Sequence, residues 1–153
     1  MSRPTYKIDN QGFAEEVLEI KRVSKKTTGG NSISFTALVA VGDREGKIGL
    51  ALGKGHEVPQ AIQKAVKHAR KAYITVPIHN ETLPHDVNVK FKSAHIILKP
   101  APQGTGLKVG GVVRTILSLS GVKNASGKIL RSRNSTTNAY AVMKALKSLR
   151  ERL

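Results

Sequence analysis

The chain contains no cysteine and no tryptophan. Without thiols there is no disulfide framework, no thiolate nucleophile and no cysteine metal site. Only three Tyr and three Phe are present, so the core must be aliphatic, and reading bases by stacking them on aromatic platforms is excluded as the main mode of recognition. Acids are just as scarce. Between Asp86 and Glu151 there is none at all, which removes the carboxylates that magnesium-dependent phosphoryl transfer would need in the second half. No apolar run approaches membrane-spanning length, and Met1–Lys7 lacks the apolar core of a secretory signal. The expected location is cytosolic, with no membrane partner. The histidines at 56, 68, 79, 85 and 95 fall in no zinc spacing, and no Gly-x-Ser-x-Gly elbow occurs. No catalytic residue, metal or cofactor is expected.

What the chain has in plenty is positive charge: 26 Lys and Arg against 10 Asp and Glu give a formal net charge of +16. Such a surplus repels itself and favours a polyanion. A binder of anionic membranes would gather its cations on one strongly apolar helix. Here they are spread along the chain, and the pattern points to nucleic acid.

Residues 1–12 read as a mobile basic leader. Val17, Leu18, Ile20 and Val23 favour a strand between Glu15 and Ser24, and Lys25–Asn31 is a polar loop with a double glycine. Ile33–Val41 is a second strand, rich in β-branched residues. Gly42–Gly46 is a turn by composition, and Lys47–Leu52 makes a third strand. The Gly53-Lys54-Gly55 turn then leads into a helix with Pro59 in its first turn. Val58, Ala61, Ile62, Ala65, Val66, Ala69, Ala72 and Tyr73 recur at helical spacing to form its buried side, and Lys64, Lys67, His68 and Lys71 fall opposite. A helix N-terminus behind flexible glycines suits phosphate; the same residues also serve an ordinary strand-to-helix connection. Residues 13–73 thus predict three antiparallel strands with one helix across a face, an α+β unit.

Near Ile74 the texture changes, and residues 74–153 read as a second domain. Thr75–Ile78 is extended, because Val76 precedes a proline, and His79–Leu83 reads as linker. Val87–Phe91 and Ala94–Leu98 are strands. Gln103–Gly111 is a glycine-rich loop running into a helix over about 111–119, with Val112, Val113, Ile116 and Leu117 inward and Gly121 as its stop. Asn124–Arg133 is basic loop or strand. Ser135 or Thr136 caps a last helix, with Ala139, Val142, Met143, Leu146 and Leu149 as its buried stripe.

The glycine loop lacks the Gly-Lys-Ser/Thr ending of a P-loop, so it reads as a loop that cradles phosphate or contacts protein. The Arg22–Gly30 stretch sets Arg22, Lys25 and Lys26 with Ser24, Thr27 and Thr28 around Gly29 and Gly30. Hydroxyls and backbone N–H groups position phosphates, and glycine lets the backbone come close; a merely solvated turn has the same composition. Arg131-Ser132-Arg133-Asn134 is a second such cluster.

Taken in order, Arg22-Val-Ser-Lys25, Gly29-Gly30, Phe35-Thr-Ala-Leu38, Val41-Gly-Asp43, Gly53-Lys54, Glu57-Val-Pro-Gln-Ala-Ile-Gln-Lys-Ala65, Lys99-Pro-Ala101, Gly104-Thr-Gly106 and Gly110-Gly111 with Arg114 resemble the family of the fifth small-subunit ribosomal protein, bacterial type. The resemblance covers about residues 13–150. It implies a double-stranded-RNA-binding-like N-terminal domain, an antiparallel three-stranded sheet plus helix, followed by a small α/β C-terminal domain of that family's own class. It further implies a structural role in the small ribosomal subunit, on ribosomal RNA near the neck and the messenger entry channel. The fourth and eighth small-subunit proteins would be neighbours, and assembly, translational accuracy and head/body organisation the functions served.

Together the basic clusters and the resemblance nominate Arg22, Ser24, Lys25, Lys26, Thr27, Thr28, Gly29, Gly30, Lys54, His56, Lys64, Lys108, Lys128, Arg131, Arg133 and Asn134 for RNA. Gly104, Gly106 and Arg114 match the family's contact with the fourth protein. The chain departs from the family pattern at Ser135, where many members carry proline, and at Asn31-Ser32, where residues are often basic. The usual longer tail does not follow Leu153. A free-standing double-stranded-RNA binder and a kinase-like nucleotide enzyme are the competing classes.

Overall fold

The computed structural model of the chain describes residues 7–8 and 12–151. Most of the expected leader therefore lies outside the described residues. Its Lys7–Ile8 segment forms β1 and pairs antiparallel with β2 (Ala14–Thr27). β3 (Gly30–Gly42), β4 (Lys47–Gly55) and the two-residue β5 (Ile74–Thr75) follow. The first sheet is antiparallel throughout, in the order β1-β2-β3-β4-β5. The expected three strands thus gain two short edge strands.

Between β4 and β5 runs helix α1 (Val58–Lys71) across one face of this sheet. It sits unusually low because the strand beneath it is built of small residues. A Cβ at Gly53 would lie 2.2 Å from the Ala61 carbonyl oxygen, and one at Gly49 would lie 2.2 Å from that of Ala69. Ala61, Ala65 and Ala69 are fully buried there, with Ile62 and Val66 partly so at the flanks. The expected buried stripe was wider. Ala72 is exposed and Tyr73 is 45 % exposed, because only an alanine row fits over a glycine strand.

The opposite face of the sheet is also covered. Leu38, Ala40, Ile48 and Leu50 join one core with helices α2 (Gly111–Ser120) and α3 (Ser135–Ser148) and with the second sheet. That sheet runs β6-β7-β9-β8, from β6 (Val87–Phe91), β7 (Ala94–Pro100), β8 (Leu107–Lys108) and β9 (Ala125–Arg131). Only the β8–β9 pair is parallel. The stretch left as basic loop or strand is thus mainly strand β9. The layers are α1, first sheet, α2 with α3, second sheet.

Two local expectations need correction. His79–Leu83 is no loose linker: Asn80 and Glu81 take left-handed φ of 49° and 62°, and His79 and Thr82 exchange backbone hydrogen bonds. The Glu81 carbonyl accepts from the N–H groups of Lys123 and Asn124, both at 3.0 Å, and Leu83 is only 2 % exposed. Its polar composition hid a backbone fully engaged with the chain after α2. The cap of α3 is Asn134 rather than Ser135 or Thr136. Asn134 has extended φ/ψ, and its Oδ1 accepts from Thr136 N–H at 3.1 Å, while Ser135 is already helical. Gly121 closes α2 as expected, at φ 99°.

Candidate nucleic-acid interface

β4 pairs with β3 only from Phe35 to Gly42. Beyond Phe35, β3 has β2 alone as partner, in the pairs Val23–Ser34, Ser24–Ile33, Lys25–Ser32, Lys26–Asn31 and Thr27–Gly30. The result is a two-stranded arm reaching roughly 15 Å past the end of β4, at about 3.4 Å per residue. Every residue from Lys21 to Ile33 is exposed. The expected Lys25–Asn31 loop is therefore mostly strand, with a turn of only Thr28 and Gly29. Thr27 Oγ1 donates to the Gly30 carbonyl at 2.8 Å, and Gly30 has φ 130°, a conformation that favours glycine.

Strand alternation splits the nominated cluster in two. Arg22 lies opposite Phe35, which packs under α1, so Arg22, Ser24 and Lys26 share α1's side of the sheet. Lys25 and Thr27 point to the other side. Lys54 joins that second side, because it lies inside β4 opposite Thr36. Gly53-Lys54-Gly55 is therefore strand end, and the turn into α1 is His56–Glu57. Thr36 also pairs with Lys21, so Lys21 and Lys54 flank it in one row at the base of the arm. The sequence gave no reason to single out Lys21; only the register does. His56 precedes the α1 N-cap, Glu57, which makes no side-chain capping bond. Lys64 is exposed on α1, on the opposite side of the sheet from Lys54.

In the second sheet, Lys108 pairs with Ser126, and Lys128 follows two residues along β9 on the same outward side. Arg131 pairs with His95 across a register shift. Arg133 is exposed after Ser132, whose φ is 75°. The Asn134 amide oxygen is taken by its capping bond. Missing from the nominations were Lys90, His95 and Lys99. Their signal was present in the strict alternation of β6 and β7, where Val87, Val89, Ala94, Ile96 and Leu98 point inward.

Gly104 and Gly106 sit in the loop before β8 with φ of 89° and 75°. Gly106 is bolted at both ends: its N–H donates to Asn124 Oδ1, and its carbonyl accepts from Ala125 N–H, both at 3.1 Å. Arg114 is exposed on α2. Between the start of α2 and β2 lies a cleft of about 280 Å³ lined by Glu16, Val17, Leu18, Gly111, Val112 and Thr115. Burial raises the Glu16 carboxyl above its ordinary 4.5. Among the described residues, no three acidic or histidine side chains converge as a metal site would require, and no helix is long and apolar enough to cross a membrane.

An uncovered basic arm on an antiparallel sheet, backed by a helix and joined by one core to a second basic sheet, defines a protein built to hold a polyanion. Family comparison makes the class particular. Residues 13–77 match the model described as "Ribosomal protein S5, N-terminal domain", and residues 89–153 match "Ribosomal protein S5, C-terminal domain". A relative from Thermus thermophilus, the small ribosomal subunit protein uS5, is 47% identical over 138 residues, covering 90% of this chain and 85% of its own. The protein of that name from Thermotoga neapolitana is 43% identical over 142 residues, covering 93% and 80%. The chain belongs to the ribosomal protein S5 family, the family its motifs resemble.

Proposed function

We propose that this protein is a structural, non-enzymatic constituent of the small ribosomal subunit, acting in the cytoplasm, where it binds small-subunit ribosomal RNA. Family membership supports the assignment, and the observation that carries it is the uncovered arm. A two-stranded ribbon is marginal in water by itself, and this one exposes Arg22, Lys25 and Lys26, none of which has a carboxylate partner among the described residues. Its cations and hydroxyls suit the RNA backbone, and the lack of aromatics suits shape rather than base recognition.

On this reading Lys54, His56 and Lys64 extend the RNA contact around the base of the arm, and Arg131, Arg133 and Asn134 serve at the second sheet. The RNA lies near the neck and the messenger entry channel, with consequences for decoding accuracy and for head and body organisation. The loop at Gly104 and Gly106 with Arg114 meets the fourth small-subunit protein, and the second domain, residues 74–153, meets the eighth. Sedimenting a cell lysate through sucrose and blotting for the chain tests the assignment. Comigration with small subunits that survives high magnesium and moderate salt is expected. A chain that stays at the top of the gradient overturns it in favour of free RNA binding.

A further inference from the structure

The second sheet has one face in the core and one in solvent. Since Val87, Val89, Ala94, Ile96 and Leu98 are buried, the period of two turns Asn88, Lys90, His95, Ile97 and Lys99 outward. Register carries this outer face across the sheet, because Ile97 pairs with Lys128 and Lys99 with Ser126, which also pairs with Lys108. Lys90, Lys99, Lys108, Lys128 and Arg131 are all exposed. None forms an ion pair among the described residues, and no acid occurs between Asp86 and Glu151 to supply one. At the middle of the face, His95 Nε2 is hydrogen-bonded to Asn88 Oδ1 at 2.5 Å.

We infer that this open face is a second surface for RNA phosphates, independent of the arm, so that one chain ties together two separate RNA segments. The inference rests on the ribosomal-RNA reading above. Its cations stand about 6.8 Å apart along a strand and about 4.8 Å apart between strands. Held so close without counter-charges they repel one another, and a polyanion removes that cost. A protein partner fits less well. Protein interfaces centre on apolar and aromatic anchors, whereas here the large apolar side chains are Ile97, half-buried, and Leu130, 48 % exposed at the register shift. With no aromatic ring facing out, the face has nothing on which to stack bases, so the sugar-phosphate backbone is the ligand.

Geometry makes the two surfaces separate. Sheet, helix pair and sheet are stacked, and the open face looks away from the first sheet and its arm. With layers about 10 Å apart it lies roughly 30 Å from α1. A single straight RNA helix cannot lie on both.

The test uses the full-length chain and naked small-subunit ribosomal RNA, measuring affinity as a function of salt. Replacing Lys90, Lys99 and Lys128 together by Gln is expected to lower the slope of log affinity against log salt by roughly two to three units. Lys25→Ala with Lys26→Ala should lower it by roughly two, and the combined variant by the sum. Melting temperatures should stay at the wild-type value, and Arg at the same three positions should restore the slope. Wild-type binding with an unchanged slope in the triple variant overturns this face alone. Wild-type protein that does not bind the RNA overturns the ribosomal reading and the face with it. If the triple variant keeps its slope but loses an acidic ribosomal protein on reconstitution, the face is a protein contact and the inference fails. Because the chain has no cysteine, Lys25→Cys and Lys99→Cys each provide a unique tether for a hydroxyl-radical probe. Cuts in two different RNA segments are expected; cuts in one common segment refute the bridging.

Discussion

Gly53→Ala is a small change with a large expected effect. The new Cβ would sit 2.2 Å from the Ala61 carbonyl oxygen, 2.5 Å from the Ala65 nitrogen and 2.9 Å from the Ala65 Cβ. The two nearest atoms belong to helix backbone, so no flexible side chain can yield, and α1 must lift as a body by about 1 Å. Overpacking of this kind costs about 1–3 kcal/mol, and the rigid neighbours place this case near 3 kcal/mol. At about 2–4 °C per kcal/mol for a chain of this size, thermal unfolding followed by circular dichroism should drop by about 6–12 °C. Gly104→Ala is the control. Nothing lies within 4 Å of its added Cβ, and its only penalty is the φ of 89°, worth about 1–2 kcal/mol. Adding Ala65→Gly to Gly53→Ala removes the 2.9 Å contact and leaves both backbone contacts, so it should not rescue. A Gly53→Ala protein melting within about 2 °C of wild type, or a full rescue by Ala65→Gly, refutes the account of how α1 is seated.

Two further outcomes follow from single side chains. Asn134→Ala removes the α3 cap and should cost about 1 kcal/mol, with Asn134→Asp recovering most of it, as read from urea midpoints at constant m-value. Glu16 has a folded-state pKa raised by burial, so its charged form is disfavoured in the fold. Its penalty is absent below the ordinary value of 4.5, grows as pH rises through the raised folded value, and is complete above it. Glu16→Gln should therefore stabilise the protein at neutral pH and give no gain at pH values below the ordinary carboxyl range. A gain of equal size at both pH extremes would count against the burial argument.

The elements most legible in the sequence were those where one face meets the core. β6 and β7 alternate, and α2 and α3 carry helical stripes, so their periods declared them. The arm was misjudged because Lys25, Lys26, Thr27 and Thr28 are polar, and polarity reports exposure rather than conformation. A strand with both faces in water gives no alternation, yet its ladder still satisfies the backbone. The narrow seat of α1 was hidden for a related reason: period analysis sees Tyr73 as apolar but cannot see that a glycine strand draws the helix too close for it to be covered. As for the candidate site, the cations were plain, but their division was not. Whether Lys25 and Lys26 act together depends on a pleat, and the grouping of Lys90, Lys99 and Lys128 depends on the pairing of strands more than 25 residues apart.

The first sheet is covered on both sides, and this has a consequence for its birth. α1 follows β4 directly, so one face is clothed as soon as it is made. The face bearing Leu38, Ala40, Ile48 and Leu50 waits for α2 and α3, the last of which ends at Ser148. About 90 residues separate β4 from that point, which at about 5–20 residues per second leaves an apolar sheet surface unclothed for roughly 5–20 s of synthesis. During that interval the nascent chain is sticky and cationic at once, and a chaperone waiting at the exit port has a defined patch to guard until the final helix arrives.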